Sequence, residues 1–228
     1  MIYRSVQSRL PAWLRRHVLY FEETIRTEVE QFAASLTAGD RLLDAGAGEC
    51  QYAQSFHRQR YVAVDLGVGD LQWNYGQLDV VADLTALPFA GATFPATVNV
   101  VTLEHVREPA CALREIARVL ESGGRLLLIV PHEWEVHQSP HDYFRYTRHG
   151  IAYLLEQAGM EPVTLQPVGG YFRLMSRRLL NGLQFFPGLW FYAAALFLVP
   201  PALLLPFFDA LDRERNFTLG YICIAKKR

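Results

Sequence analysis

This sequence predicts an α/β protein built on a seven-stranded, mostly parallel sheet, with helices on both faces and an apolar helical insertion before the last strand. Three observations carry that expectation. Short apolar runs suited to buried strands recur at about 41–45, 61–65, 78–82, 97–102 and 124–130, with two more at 161–167 and 218–225. Stretches with helical apolar spacing separate them, and such alternation favours parallel strands joined by right-handed crossovers. The first run passes within a few residues from buried leucines into a bare glycine turn, Asp44-Ala-Gly46-Ala-Gly48.

With 228 residues, 51% of them hydrophobic, the chain is long enough for one domain with a substantial core. A net charge of −1 offers no basic field for nucleic acid, so no nucleic-acid partner is expected. Cys50, Cys111 and Cys223 are scattered, match neither a disulfide framework nor a paired-cysteine metal site, and fit a reducing cytoplasm. Arginines 4, 9, 15 and 16 leave no uninterrupted apolar run between them, so the N-terminus does not read as a cleaved export signal.

Residues 1–39 read as a basic and apolar arm (1–17) followed by a helix. Ile25, Val29, Phe32, Ala33 and Leu36 recur at helical spacing before Ala38-Gly39-Asp40 ends it. The ligand-binding core is expected over 40–168. Its opening turn uses Gly46 and Gly48 to approach a ligand where a Cβ would intrude. A dinucleotide fingerprint would place a third glycine at position 51; Gln51 stands there, which disfavours NAD. Asp65, nineteen residues after Gly46 at the tip of the second strand, is suitably placed to accept both hydroxyls of a ribose. Further on, Pro109 can start a helix whose buried stripe is Leu113, Ile116, Ala117 and Leu120, with Ser122-Gly123-Gly124 as its stop. Thr147 is suited to cap another helix that runs through Ile151, Leu154, Leu155 and Ala158 to Gly159. Ligands of open parallel sheets lie beyond the carboxyl ends of the strands, so the loops after strands one to five should line the site.

In order, Asp44-Ala-Gly46-Ala-Gly48, Val64-Asp65, Ala82-Asp83-Leu84 with Leu87-Pro88-Phe89, and Leu103-Glu104-His105-Val106 resemble the successive motifs of class I, Rossmann-like S-adenosylmethionine-dependent methyltransferases. The resemblance covers about residues 40–165 and implies S-adenosyl-L-methionine as cofactor. It assigns Asp44, Gly46 and Gly48 to the methionine part, Asp65 to the ribose and Leu66 to the adenine edge. Asp83 would accept from the adenine amino group, Leu84 would form an apolar wall, and Thr102, Leu103 and Glu104 would lie beneath the sulfonium. Acids suit such a cationic, hydroxyl-rich ligand. Where the family usually opens its fourth strand with Phe-Asp, this chain has Phe94-Pro95; that acid is mostly structural, so cofactor binding is still expected.

Residues 131–147 crowd three histidines, three acids and several aromatics into one loop. Metal binding is the lesser expectation, because His132, His137 and His141 share no helical face and Pro131 and Pro140 impose a loop, so no metal is assigned. The favoured reading is an acceptor site over the methyl group, in line with the Pro-His-Glu…Pro-x-Asp-Tyr-x-Arg-Tyr-Thr segment of similar methyltransferases. His132, His105 or His141 is the candidate base for an acceptor hydroxyl. Arg145 is a candidate for a phosphate or carboxylate, with Asp142, Tyr143 and Tyr146 as further substrate contacts. The alternative for Tyr143, Arg145 and Tyr146 is that they anchor the next helix.

Before the final strand (217–228) the chain inserts residues 169–216, of which 179–208 contain no Asp, Glu, Lys, Arg or His. Arg173, Arg177 and Arg178, interleaved with Phe172, Leu174 and Met175, suggest anionic head groups. Both ends must return to one sheet, so a single crossing is excluded, and the run is too short for two. Pro200-Pro201 should break it into two short apolar helices lying in one leaflet. The expectation is a membrane-surface contact through 171–208 on the cytoplasmic side, peripheral or monotopic, with a small or lipid-linked acceptor. The alternatives are a soluble homodimer joined by the same segment and a non-catalytic cofactor-binding scaffold.

Overall fold

The computed structural model describes residues 11–69 and 73–228. Its seven strands are β1 (Arg41–Ala45), β2 (Arg60–Asp65), β3 (Val80–Val81), β4 (Phe94–Val100), β5 (Leu120–Pro131), β6 (Met160–Val168) and β7 (Gly220–Lys227). They form one sheet in the order β3-β2-β1-β4-β5-β7-β6. The pairs from β3 to β5 are parallel, and β7 runs antiparallel to β5. The central strands β1, β4 and β5 are buried almost throughout, as expected for near-continuous apolar runs covered on both faces. Pro95 lies where the β4–β5 register shifts, a position in a strand where a missing N–H is tolerated.

The helices are α1 (Ala12–Val18), α2 (Tyr20–Ala34), α3 (Pro109–Val119), α4 (Arg148–Gln157), α5 (Tyr171–Gly182) and α6 (Leu189–Leu204). Pro109 does open α3, and the Thr147 hydroxyl caps α4 by accepting from the Gly150 N–H. However, α3 stops at Val119. Ser122-Gly123-Gly124 belongs to β5, where Gly123 takes a φ of +75° inside an irregular stretch between the pairs Phe94–Leu120 and Ala96–Arg125. Among the described residues, the crossovers after β1 and β2 hold short 3-10 turns, Ala53–Phe56 and Tyr75–Gln77, in place of the expected helical stretches. Positive φ angles at Gly46, Gly48 and Cys50 keep the chain out of a helix just after β1.

The chain divides into two compact units. One holds the segment ending at Ile25 together with Pro167–Leu219; the other holds Arg26–Gln166 and Gly220–Arg228. The division therefore falls inside α2, within the segment read from sequence as one arm and helix. Residues 1–10 of that arm lie outside the described residues.

Within the first unit, Asp209 accepts from the Gly170 and Arg173 N–H groups and Asp212 from that of Tyr171, so acids from the far end of the insertion cap α5. One expectation is corrected here. The helix α6 runs through Pro200-Pro201, and the break falls instead at Phe186–Gly188, where Gly188 has a φ of +60°. Proline's fixed φ is compatible with a helix, so the chain continues through the pair at the loss of two N–H donors. The arginines are also engaged internally. Arg177 is buried and pairs with Glu22 at 2.9 Å, while Arg173 lies 3.4 Å from Asp209 and 3.6 Å over the Tyr20 ring. Arg173 and Arg177 are thus each paired with a carboxylate of the same unit. Leu189–Leu211, 23 residues, is long and apolar enough to cross a membrane, and Leu189, Trp190 and Phe197 are 86%, 72% and 74% exposed.

Candidate functional site

The glycine turn after β1 is shaped by its neighbours. Gly46 has a φ of +100°, and a Cβ there would collide with Thr102, whose hydroxyl donates to the Gly46 carbonyl at 3.1 Å. A Cβ at Gly48 would lie 3.1 Å from the Trp73 ring. These glycines therefore admit Thr102 and Trp73, and close approach to a ligand is not their sole role.

Behind the turn, Asp44 is only 2% exposed and accepts from the Tyr61 hydroxyl. Burial pushes its carboxyl up to about 7; the Tyr61 bond opposes this, and the charge of Asp65 adds to it. Asp44, expected to hold the methionine part, thus lies buried behind the turn with its carboxyl on the Tyr61 hydroxyl. Asp65, at the tip of β2, accepts from Gly48 N–H at 3.0 Å with one oxygen and from Gly67 N–H at 2.8 Å with the other. A carboxylate has about four lone-pair positions. Two thus remain for hydroxyl donors, as a ribose requires. Leu66 next to it is exposed. Asp83 is exposed and turns one oxygen onto the Thr85 N–H and hydroxyl, both at 2.8 Å. Leu84 is a core residue, so its expected role as a ligand wall is restricted by the side chains packed on it.

After β4, Leu103 and Glu104 are buried in the turn Leu103–His105. The Glu104 carboxyl is fully buried, no protein donor reaches either oxygen, and burial pushes it up to about 8. His105 gives its Nδ1–H to the His141 carbonyl at 2.6 Å, and burial lowers its basicity. His141 lies 3.2 Å from the Tyr143 hydroxyl, which also accepts from Arg107 Nε at 2.9 Å. His132 gives Nδ1–H to the Tyr146 carbonyl at 2.9 Å, which leaves the Nε2 lone pair as its basic position.

The substrate-side assignments change most. Arg145 donates through Nε to the Trp134 carbonyl, through one terminal nitrogen to Asp142 and the Phe144 carbonyl, and through the other to Asp142 and the Glu135 carbonyl. Arginine has five N–H donors, and all five are used, so none remains for a phosphate or carboxylate. The two Arg145 bonds hold the Asp142 carboxyl down to about 2, helped by the His137 N–H. Tyr146 is buried with its hydroxyl on the Leu103 carbonyl at 2.9 Å. Arg145 and Tyr146 thus hold the loop, as in the anchoring alternative raised above, and Asp142 is the carboxylate that Arg145 grips. Sequence reasoning passed over Tyr61 and Trp73, and it weighed His137 only as one of three loop histidines.

Residues 43–128 match the methyltransferase domain family. A probable S-adenosylmethionine-dependent methyltransferase of Mycobacterium tuberculosis is 31% identical over 125 residues, covering 52% of this chain and 42% of that protein. The demethylmenaquinone methyltransferase of Clavibacter sepedonicus is 35% identical over 105 residues, covering 42% and 43%. The chain thus spans about two-fifths of the length of these curated relatives. Among solved structures, the 1,6-didemethyltoxoflavin-N1-methyltransferase of Burkholderia thailandensis aligns over 99% of this chain and 88% of its own, at a TM-score of 0.57 and 19% identity. A geranyl diphosphate methyltransferase aligns over 90% and 84%, at 0.59 and 14%. The [4+2]-cyclase SpnF aligns over 88% and 80%, at 0.56 and 20%, so the fold by itself does not name a reaction. The matched segment and the strand order together make this chain similar to the class I, Rossmann-like S-adenosylmethionine-dependent methyltransferases.

Proposed function

We propose that this chain uses S-adenosyl-L-methionine to methylate an acceptor held against the 131–147 loop. The observation that carries the reading is Asp65, which ties the Gly48 and Gly67 backbones together with one bond per oxygen and retains two acceptor positions beside the glycine turn. The bound cofactor supplies an already activated methyl group. The chain's own residues position and balance charge: Asp65 accepts from the ribose, and the field of Asp44 favours the cofactor's cationic end. His132 holds an Nε2 lone pair for the proton of an acceptor hydroxyl. Calorimetric titration with S-adenosylhomocysteine is the test. Binding is expected, and Asp65→Ala should weaken it by roughly 2–4 kcal/mol; a well-folded wild-type protein that does not bind would end the reading.

We further propose that the protein works at the cytoplasmic surface of a membrane on a small or lipid-linked acceptor. The exposed apolar face of Leu189–Leu211 supports this. The chain also enters and leaves the insertion from β6 and β7, neighbours in one sheet, which suits a segment lying in one leaflet. Flotation with anionic liposomes separates this from a dimer joined through the same face. Protein that stays at the bottom of the gradient as a dimer, and becomes monomeric when 183–208 is deleted, would replace the membrane reading.

A further inference from the structure

The turn after β4 and the 131–147 loop bring together one carboxyl and two imidazoles, Glu104, His105 and His137, apart from the Asp65 and His132 positions used above. Glu104 Oε1 lies 3.7 Å from His105 Nε2 and 4.0 Å from His137 Nε2, and the three atoms lie within 4.8 Å of one another. The two imidazole rings meet edge to face, with centroids 4.7 Å apart.

Their protonation follows from their partners. A backbone carbonyl can only accept, so His105 Nδ1 carries the hydrogen it gives to the His141 carbonyl at 2.6 Å. His137 Nδ1 likewise faces the Glu135 carbonyl at 3.1 Å, with Asp142 at 3.5 Å. Each ring therefore turns an Nε2 lone pair toward the Glu104 carboxyl. That carboxyl is wholly buried, and no protein donor reaches its two oxygens or His105 Nε2. Three acceptors converge on one point. A single proton on Glu104 could bridge to one imidazole and would leave the other lone pair facing an oxygen.

We propose that Glu104 Oε1, His105 Nε2 and His137 Nε2 bind one divalent transition-metal ion of the zinc type. Two imidazoles and one carboxylate suit such an ion. Bonds of about 2.0–2.1 Å in a tetrahedron set ligand atoms roughly 3.4 Å apart, slightly inside the spacing found here. Each histidine has its Nδ1–H fixed by a carbonyl, the outer-shell arrangement that orients metal-bound imidazoles. Three protein ligands leave a fourth position open, as in catalytic rather than structural sites. An acceptor oxygen bound there would lose its proton more readily, pointing to acceptors with an ionisable hydroxyl. That role rests on the methyl-transfer reading; the metal site itself does not.

The test is titration of the chelator-stripped full chain with Co2+, followed by visible absorption, then competition with Zn2+. Binding of one equivalent is expected, displaced by Zn2+, with affinity reduced at least tenfold in both Glu104→Gln and His137→Ala. S-Adenosylhomocysteine titration of His137→Ala serves as the control and should match wild type. No Co2+ bound by wild type at millimolar concentration, or equal affinity in His137→Ala, would overturn the site. Should Glu104→Gln fail to fold, His137→Ala decides. If wild type binds Co2+ in this way but not S-adenosylhomocysteine, the methyl-transfer reading falls and the metal site stands.

Discussion

The 131–147 loop and the Leu189–Leu211 segment handle their chemistry in opposite ways. The loop is rich in polar groups and uses many of them on itself: Arg145 places all five donors on Asp142 and three carbonyls, and Tyr146 fixes the Leu103 carbonyl. The apolar segment does the reverse, leaving Leu189, Trp190, Leu196 and Phe197 largely in the open. The difference teaches that residue type alone does not mark a functional surface. A guanidinium already saturated is architecture, and what the fold leaves unsatisfied is where a ligand or a surface is owed a contact.

Breaking the loop should give the largest effect. Arg145→Ala strands the buried Asp142 carboxylate and should destabilise the protein by about 3 kcal/mol in denaturant titration. Unchanged stability with a raised KM would return Arg145 to substrate binding. Next, His132→Ala should lower turnover on the order of a hundredfold with S-adenosylhomocysteine affinity intact; unchanged turnover would move the base to His105 or His141. On the apolar side, replacing Leu189, Trp190 and Phe197 together by Ser should shift folding stability by less than about 1 kcal/mol, because these side chains are mostly exposed. The same protein should lose liposome flotation, and retained flotation would locate the membrane contact elsewhere.

The smallest effect is a pH dependence at Asp44. Its folded value, about 7, lies above the ordinary carboxyl value, so in the free protein its contribution to stability is full at low pH and lost as pH rises through 7. A cationic ligand favours the ionised form. Affinity for S-adenosyl-L-methionine should therefore rise about tenfold from pH 6 to pH 8, following the ionised fraction of Asp44. Asp44→Asn should flatten that rise, as seen by calorimetry across the range.

Much of the sheet was legible because its signals are local. Leu42 and Leu43 before Asp44, the alternation of runs and the spacing from Gly46 to Asp65 need only a short window to read. Thr147 and Pro109 likewise marked helix starts from their own chemistry. What stayed hidden depends on residues distant in sequence. Glu22 finds Arg177 and Asp209 finds Arg173, pairings that join residues far apart in sequence. Trp73 over Gly48 and Tyr61 on Asp44 depend on the folding of two crossovers. The convergence of Glu104 and His137 needs the loop to fold back on the turn, which no period or motif announces.

The place of β7 between β5 and β6 sets an order of assembly. During synthesis the insertion leaves the ribosome before Gly220–Lys227, so its apolar face is exposed while β5 still lacks its antiparallel partner and β6 has no neighbour. Pairings between strands so far apart in sequence are slow to form, and unpaired edges beside apolar surface invite association. The nascent chain thus passes through an interval in which the apolar insertion has emerged and the sheet is still incomplete.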